Sequence, residues 1–196
     1  MLIQRESSCL NYNSCIVDLR ALLPLCLAAS LGADVSGCAC DVAIPQTLAA
    51  RECALCRVAE EQPADPPVFF LKDNNPRKPN RLLVLPRAHG KAQDSLSAMT
   101  PQTRLMLWTA AIEKARSIWG DKWGLAVNGD SARTQCHAHI HIGKLLEGIE
   151  TPRFVVVGGP AQIPAPTDGT GMWVHPEGSK LHVHLNEQIT ETVLLR

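Results

Sequence analysis

Residues 136–142 read Cys-His-Ala-His-Ile-His-Ile, a strict alternation of imidazoles with small or branched apolar side chains. A period of two marks a β-strand, because successive side chains leave opposite faces. In that conformation His137, His139 and His141 share one face, about 7 Å from one to the next. Ala138, Ile140 and Ile142 face the other way, into a core. A chain with this block must build a sheet whose apolar face is covered and whose other face presents a row of imidazoles.

The rest of the chain supplies the partners of that strand. Thr100 is a good N-cap with Pro101 at the first helical position, and Gly120 closes the segment. Between them Leu105, Trp108, Ile112, Ala115 and Trp119 form one apolar stripe at helical spacing, suited to packing on a sheet. A second helix is expected over 45–61. Strands are expected at 68–72 and 81–86, joined into a hairpin by the Asn- and Pro-rich turn 73–80, and at 123–128. Further strands are expected at 154–157, 172–175 and 180–185, the last two forming a hairpin across 176–179. Hairpin-like links predominate over β-α-β crossovers, which predicts an α+β fold with an antiparallel sheet.

The chain has 196 residues and 45% hydrophobic composition, enough for one domain with a sizeable core. Its 19 Lys and Arg balance 19 Asp and Glu, so no global positive field draws it to nucleic acid, and no nucleic-acid partner is expected. The cations are nonetheless clustered: Lys72, Arg77, Lys78, Arg81, Arg87 and Lys91 lie within one stretch that includes a single acid, Asp73. Such a stretch suits a small phosphorylated ligand or anionic headgroups, or is simply a solvated basic loop.

Residues 1–40 differ in character. The apolar run 21–31 is too short to span a bilayer but fits the core of a secretory leader. The tetrad Val35-Ser36-Gly37-Cys38 is similar to a lipoprotein processing box, which would lipidate Cys38 and give the chain a membrane association through its N-terminus. The opposing reading is an unexported, cytoplasmic protein with an amphipathic or buried segment here. The organisation expected is therefore a leader-like segment over 1–40, a catalytic domain over 41–150 and a β extension of that domain over 151–196.

Three aligned imidazoles suit two chemistries. They can converge on zinc or another transition metal, or act as nucleophile and acid–base groups, since neutral imidazole attacks phosphorus. Spacing alone does not choose. The block reads HAHIHIG, however, and so resembles the His-φ-His-φ-His-φ-φ signature of the histidine-triad (HIT) superfamily. Leu82-Leu83-Val84-Leu85-Pro86 followed by His89, and Asn128 at the end of the preceding strand, match two further landmarks in the same order. The resemblance covers about residues 50–145. Within the superfamily, Arg133-Thr134-Gln135-Cys136-His137-Ala138-His139-Ile140-His141-Ile142 and Leu71-Lys72-Asp73 are most similar to bacterial CDP-diacylglycerol pyrophosphatases. His89 departs from that branch and is similar to general HIT proteins, while the usual HIT Gly-Gln pair before the triad is absent.

The resemblance implies a HIT-like sheet and a hydrolase of nucleotide pyrophosphates, with CDP-diacylglycerol cleaved to CMP and phosphatidate. His139 would attack the phosphorus and form a covalent nucleotidyl-histidine. His141 would bond phosphate oxygens, and His137 would orient His139 through its backbone or ring. Asn128, Thr134, Gln135, His89 and Lys72 would hold substrate, and Arg133 would neutralise a phosphate bidentately. No cofactor is required for this chemistry, and a homodimer is the common HIT assembly. Alternatives are a general HIT activity on dinucleotides or nucleoside phosphoramidates, and a non-catalytic zinc-binding module.

The resemblance also places Cys53 and Cys56 where many HIT proteins hold a structural zinc together with the equivalents of His89 and His137. A disulfide, favoured by export, and free thiols remain open for that pair. Cys136 is expected in core packing. His182 and His184 share a strand face and are expected in sheet packing, with a peripheral metal site as the sharper alternative.

Overall fold

The computed structural model describes residues 35, 37–88, 90 and 94–196. The leader-like run 21–31, His89 and Lys91 lie outside the described residues. Seven strands form one antiparallel sheet: β1 (Val68–Lys72), β2 (Leu82–Pro86), β3 (Trp123–Val127), β4 (Ile140–Lys144), β5 (Phe154–Val157), β6 (Gly171–Glu177) and β7 (Lys180–Glu187), in the order β1-β2-β4-β3-β6-β7-β5. The α+β class is as expected. The proposed C-terminal extension supplies three of these strands, so it completes the same sheet.

One long helix covers one face. It runs Pro101–Trp119, with the Thr100 hydroxyl accepting from the Thr103 amide at 3.2 Å, and ends at Gly120 with φ +58. A positive φ at a helix end costs glycine little because it has no Cβ. Leu107, Trp108, Ala111, Ile112 and Ala115 are its buried residues, packed with Ala138, Ile140, Ile142, Leu125, Val174 and Val183. The stripe thus begins at Leu107 rather than Leu105, which is only half-buried.

The opposite face is covered piecemeal. Directly paired residues point the same way, and one such row runs Leu71, Leu83, His141, Ala126, Trp173, His184, Phe154 across all seven strands. A short helix (Ala54–Glu61) packs its Leu55, Val58 and Ala59 on Phe69, Leu71, Leu83 and Leu85 at one end. The C-terminal segment lays Val193 and Leu194 on Ala126 and Trp173 in the middle. His141 falls between the two coverings. We call the short helix α1 and the long one α2.

Two expectations are corrected. The helix foreseen over 45–61 is broken into two 3-10 turns, Pro45–Ala49 and Arg51–Cys53, followed by α1, because Ala50 is extended at φ −62, ψ 144. The turns bring Cys53 to Cys40, and α1 is anchored from afar: the Leu55 amide donates to Gln135 Oε1 at 3.2 Å, and Gln135 Nε2 donates to Arg51 O at 3.1 Å. The strand foreseen over 136–142 starts at Ile140. Cys136 cannot join the ladder because its amide donates to Glu52 O at 2.8 Å and its carbonyl accepts from Arg133.

The cysteines are corrected as well. Cys38 is bonded to Cys136 and Cys40 to Cys53, leaving buried Cys56 as the free cysteine among those described. Cys136 is therefore cross-linked rather than merely packed. A lipid thioether would need the Cys38 sulfur that the disulfide uses, so the lipidation expectation does not fit. The segment boundary at residue 40 also moves, since 38 and 40 are both tied into the sheet domain.

The bonds close loops of very different size, with sequence separations of 98 and 13. On loop entropy the longer is worth about 4–5 kcal/mol and the shorter about 3 kcal/mol. Urea unfolding of Cys136→Ser is expected to show the larger loss of stability, and that of Cys53→Ser the smaller; equal losses would contradict the assigned pairing.

Candidate functional site

Between α1 and the C-terminal segment lies a cavity of about 490 Å³. One wall is apolar, made by Ala54, Leu55 and Val58 of α1 with Leu71 and Leu83 of the sheet. The other is polar, made by Lys72, Asp73, Asn74, Asn75 and Lys78 with Asn128, Thr134 and Glu191. His139 and His141 stand at its floor, their rings edge to face at 4.8 Å. The row of three histidines is not realised in full. His137 precedes β4, is wholly buried, and bonds Pro86 O through Nε2 at 2.9 Å instead of lining the cavity.

The His137 backbone nevertheless meets the ring of its neighbour. His139 Nδ1 lies 2.9 Å from His137 O. A carbonyl only accepts, so Nδ1 carries the proton and the lone pair of the neutral ring is on Nε2. Burial holds the His139 pKa below its ordinary value, opposed in part by that carbonyl and reinforced by Arg133; Glu191 and Asp73 pull weakly upward. His141 is pushed well below 6.5, first by burial and then by His139, Arg81 and Lys78. Both rings are thus neutral at neutral pH.

The expected substrate contacts divide. Lys72 and Thr134 are exposed at the cavity. Arg133 is not available as a bidentate phosphate ligand. Its two terminal nitrogens are committed, Nη1 to Asp94 O and to Cys136 O at 3.1 Å, and Nη2 to Asp130 at 2.9 Å. Gln135 uses both ends of its amide to hold α1, as described above. Asn128 borders the cavity, but its Oδ1 accepts from the Thr190 amide at 3.0 Å, the Thr190 hydroxyl at 3.2 Å and the Glu191 amide at 3.1 Å. The cations that remain beside the cavity are Lys72, Lys78 and Arg57.

The structure adds Glu191, which the sequence did not point to. Its Oε2 is 3.7 Å from His141 Nδ1, 2.5 Å from Lys78 Nζ and 3.1 Å from Arg81 Nη1. No local pattern around Glu191 carries that signal, because Lys78 and Arg81 lie more than a hundred residues away and His141 lies 50 away. The zinc set Cys53, Cys56, His89 and His137 is not supported: Cys53 is spent on Cys40, and a disulfide sulfur is not a thiolate ligand. Burial pushes the Cys56 thiol up to about 11, so it is protonated at neutral pH. A different group of possible metal ligands, Glu150, His175, His182 and His184, is assembled elsewhere on the same sheet face.

The neutral rings make stability depend on pH in a definite sense. In the unfolded chain His139 and His141 regain ordinary affinity for protons, so stability is full above about pH 6.5 and falls as pH drops toward their folded values. We expect the urea midpoint to decline between pH 7 and pH 5, and to decline less in His141→Asn; an identical decline in the two proteins would argue against burial of a neutral His141. No family model matches the chain, and no curated protein matches it in sequence.

Proposed function

We propose that the chain is a histidine-triad hydrolase acting on a nucleotide pyrophosphate, with His139 as nucleophile. The observation that carries the reading is the hydrogen bond from His139 Nδ1 to His137 O, which leaves a neutral ring with its lone pair on Nε2 at the floor of a cavity flanked by cations. In the first step that lone pair attacks the phosphorus borne by the nucleoside, and the bond to the bridging oxygen breaks. The second phosphate leaves with the bond electrons. The nucleotidyl-imidazolium that forms is stabilised by the His137 carbonyl on its Nδ1–H. In the second step water attacks the same phosphorus and gives up one proton to solvent, the P–N bond returns its electrons to Nε2, and the mononucleotide departs.

Charge on the phosphates would be met by Lys72, Lys78 and Arg57 rather than by Arg133. His141 would bond the phosphate oxygens, with the Glu191 carboxylate 3.7 Å from its Nδ1. No metal is needed in either step of this scheme. The apolar wall of α1, Leu71 and Leu83 suits a substrate with an apolar portion, and CDP-diacylglycerol, cleaved to CMP and phosphatidate, is the substrate we favour. Two disulfides fit an exported protein. Among the described residues no helix is long and apolar enough to cross a membrane.

His139→Ala is expected to lower kcat by at least about 10³-fold, while His139→Gly regains turnover when supplied with a nucleotidyl-imidazole. Wild-type rates from His139→Ala on CDP-diacylglycerol in detergent and on soluble dinucleotides would refute the mechanism. Because the nucleophile must be neutral and its pKa is depressed, the acid limb of kcat/KM should lie below pH 6.5. A limb at 6.5 or above would assign the essential base elsewhere.

A further inference from the structure

The β6–β7 hairpin carries a second histidine group that plays no part in the reaction above. Its tight turn at Gly178, with φ +57, pairs Glu177 with Lys180 and so sets His175 directly opposite His182, two positions along the ladder from Trp173 and His184 and on the same face. Glu150, from the link between β4 and β5, reaches over them. Its carboxylate oxygens lie 3.3 Å from His175 Nε2, 3.6 Å from His182 Nδ1 and 3.1 Å from His184 Nε2. All four ligand atoms fall within 4.8 Å of one another.

Hydrogen bonding fixes which nitrogens are lone pairs. Thr151 Oγ1 lies 2.8 Å from Glu187 Oε1 and 2.7 Å from His184 Nδ1. The carboxylate can only accept, so the single hydroxyl proton goes to Glu187 and the hydroxyl oxygen accepts from His184 Nδ1–H. His175 Nδ1 donates to Pro176 O at 3.1 Å. In the neutral rings the Nε2 atoms therefore bear lone pairs, and both face the Glu150 carboxylate with no hydrogen-bond partner, on residues 5% and 0% exposed. Lone pairs of nitrogen and oxygen set 3.1–3.3 Å apart repel unless a proton or a metal ion lies between them.

We propose that His175, His182, His184 and Glu150 form a binding site for a divalent transition metal of the zinc class. Zinc bonds of about 2.0–2.1 Å in a tetrahedron place ligand atoms about 3.3 Å apart, which the three carboxylate–imidazole distances already approach. Three imidazoles and one carboxylate suit zinc and its neighbours rather than calcium or magnesium, which take oxygen ligands. An acceptor on the far nitrogen of a ligating ring is the usual outer support of a metal histidine, and it is present on His175 and His184. Trp173 braces the site from beneath, stacked on His184 at 3.6 Å with its Nε1 donating to Glu187. The bound ion would join the β4–β5 link to the hairpin. The site lies about three strand spacings, or ~14 Å, from His141 along the sheet row, so the proposal stands apart from the hydrolase reading.

The test is zinc titration by calorimetry on untagged full-length protein, stripped with chelator and kept oxidised so that the disulfide cysteines cannot bind. One zinc per chain is expected, with a cobalt-substituted form showing the intense visible absorption of a tetrahedral site. Thr151→Val should weaken binding about 10- to 100-fold, and Glu150→Gln and His182→Ala, both at the rim of the site, by more. His139→Ala should bind zinc as wild type does. Absence of stoichiometric zinc in wild type, undiminished binding in Glu150→Gln and His182→Ala, or loss of binding in His139→Ala would each overturn the assignment.

Discussion

The buried guanidinium of Arg81 holds the site together. It is 1% exposed and donates to Glu191 O at 2.8 Å, Leu194 O at 2.7 Å and Glu191 Oε2 at 3.1 Å. Arginine stays charged even here, so its desolvation must be offset by these bonds, and removing either side would strand a charge. With them it fastens the C-terminal segment across the sheet. That segment in turn occupies Asn128, covers Ala126 and Trp173, and delivers Glu191 to His141. The cavity exists because this covering stops one strand short of α1.

Two long-range fastenings complete the opposite wall. The Cys38–Cys136 disulfide binds the residue 38–53 strap, itself closed by Cys40–Cys53, to the start of the triad, and Gln135 caps α1 from the loop before it. Side chains that a local reading assigns to substrate are used here to assemble the container. A guanidinium, an amide and a second amide beside a cavity read the same in sequence whether they face inward or brace the walls.

Legibility followed the range of the interaction. The α2 helix was readable because cap, stripe and terminator lie within about twenty residues, and the hairpins were readable because their turns are local. The hydrogen bond between the His139 ring and the His137 backbone was also readable, since it concerns a neighbour two positions away. The start of β4 was not, because Cys136 is drawn out of the ladder by Cys38 and Glu52. Glu191 and the true partners of Cys53 were hidden for the same reason. The His182–His184 pair was visible, and a two-residue turn at 178–179 would have placed His175 beside it; Glu150 had no such signal.

Cys56 has a consequence for handling the protein. Folded, its thiol is buried and pushed up to about 11, so it is a poor nucleophile and leaves the neighbouring bridges intact. Once the chain opens, the same sulfur returns to ordinary acidity three residues from Cys53 and can attack the Cys40–Cys53 bond. The native cross-links are therefore guarded by the fold they help to maintain, and brief exposure to heat at alkaline pH should scramble them even without added reductant.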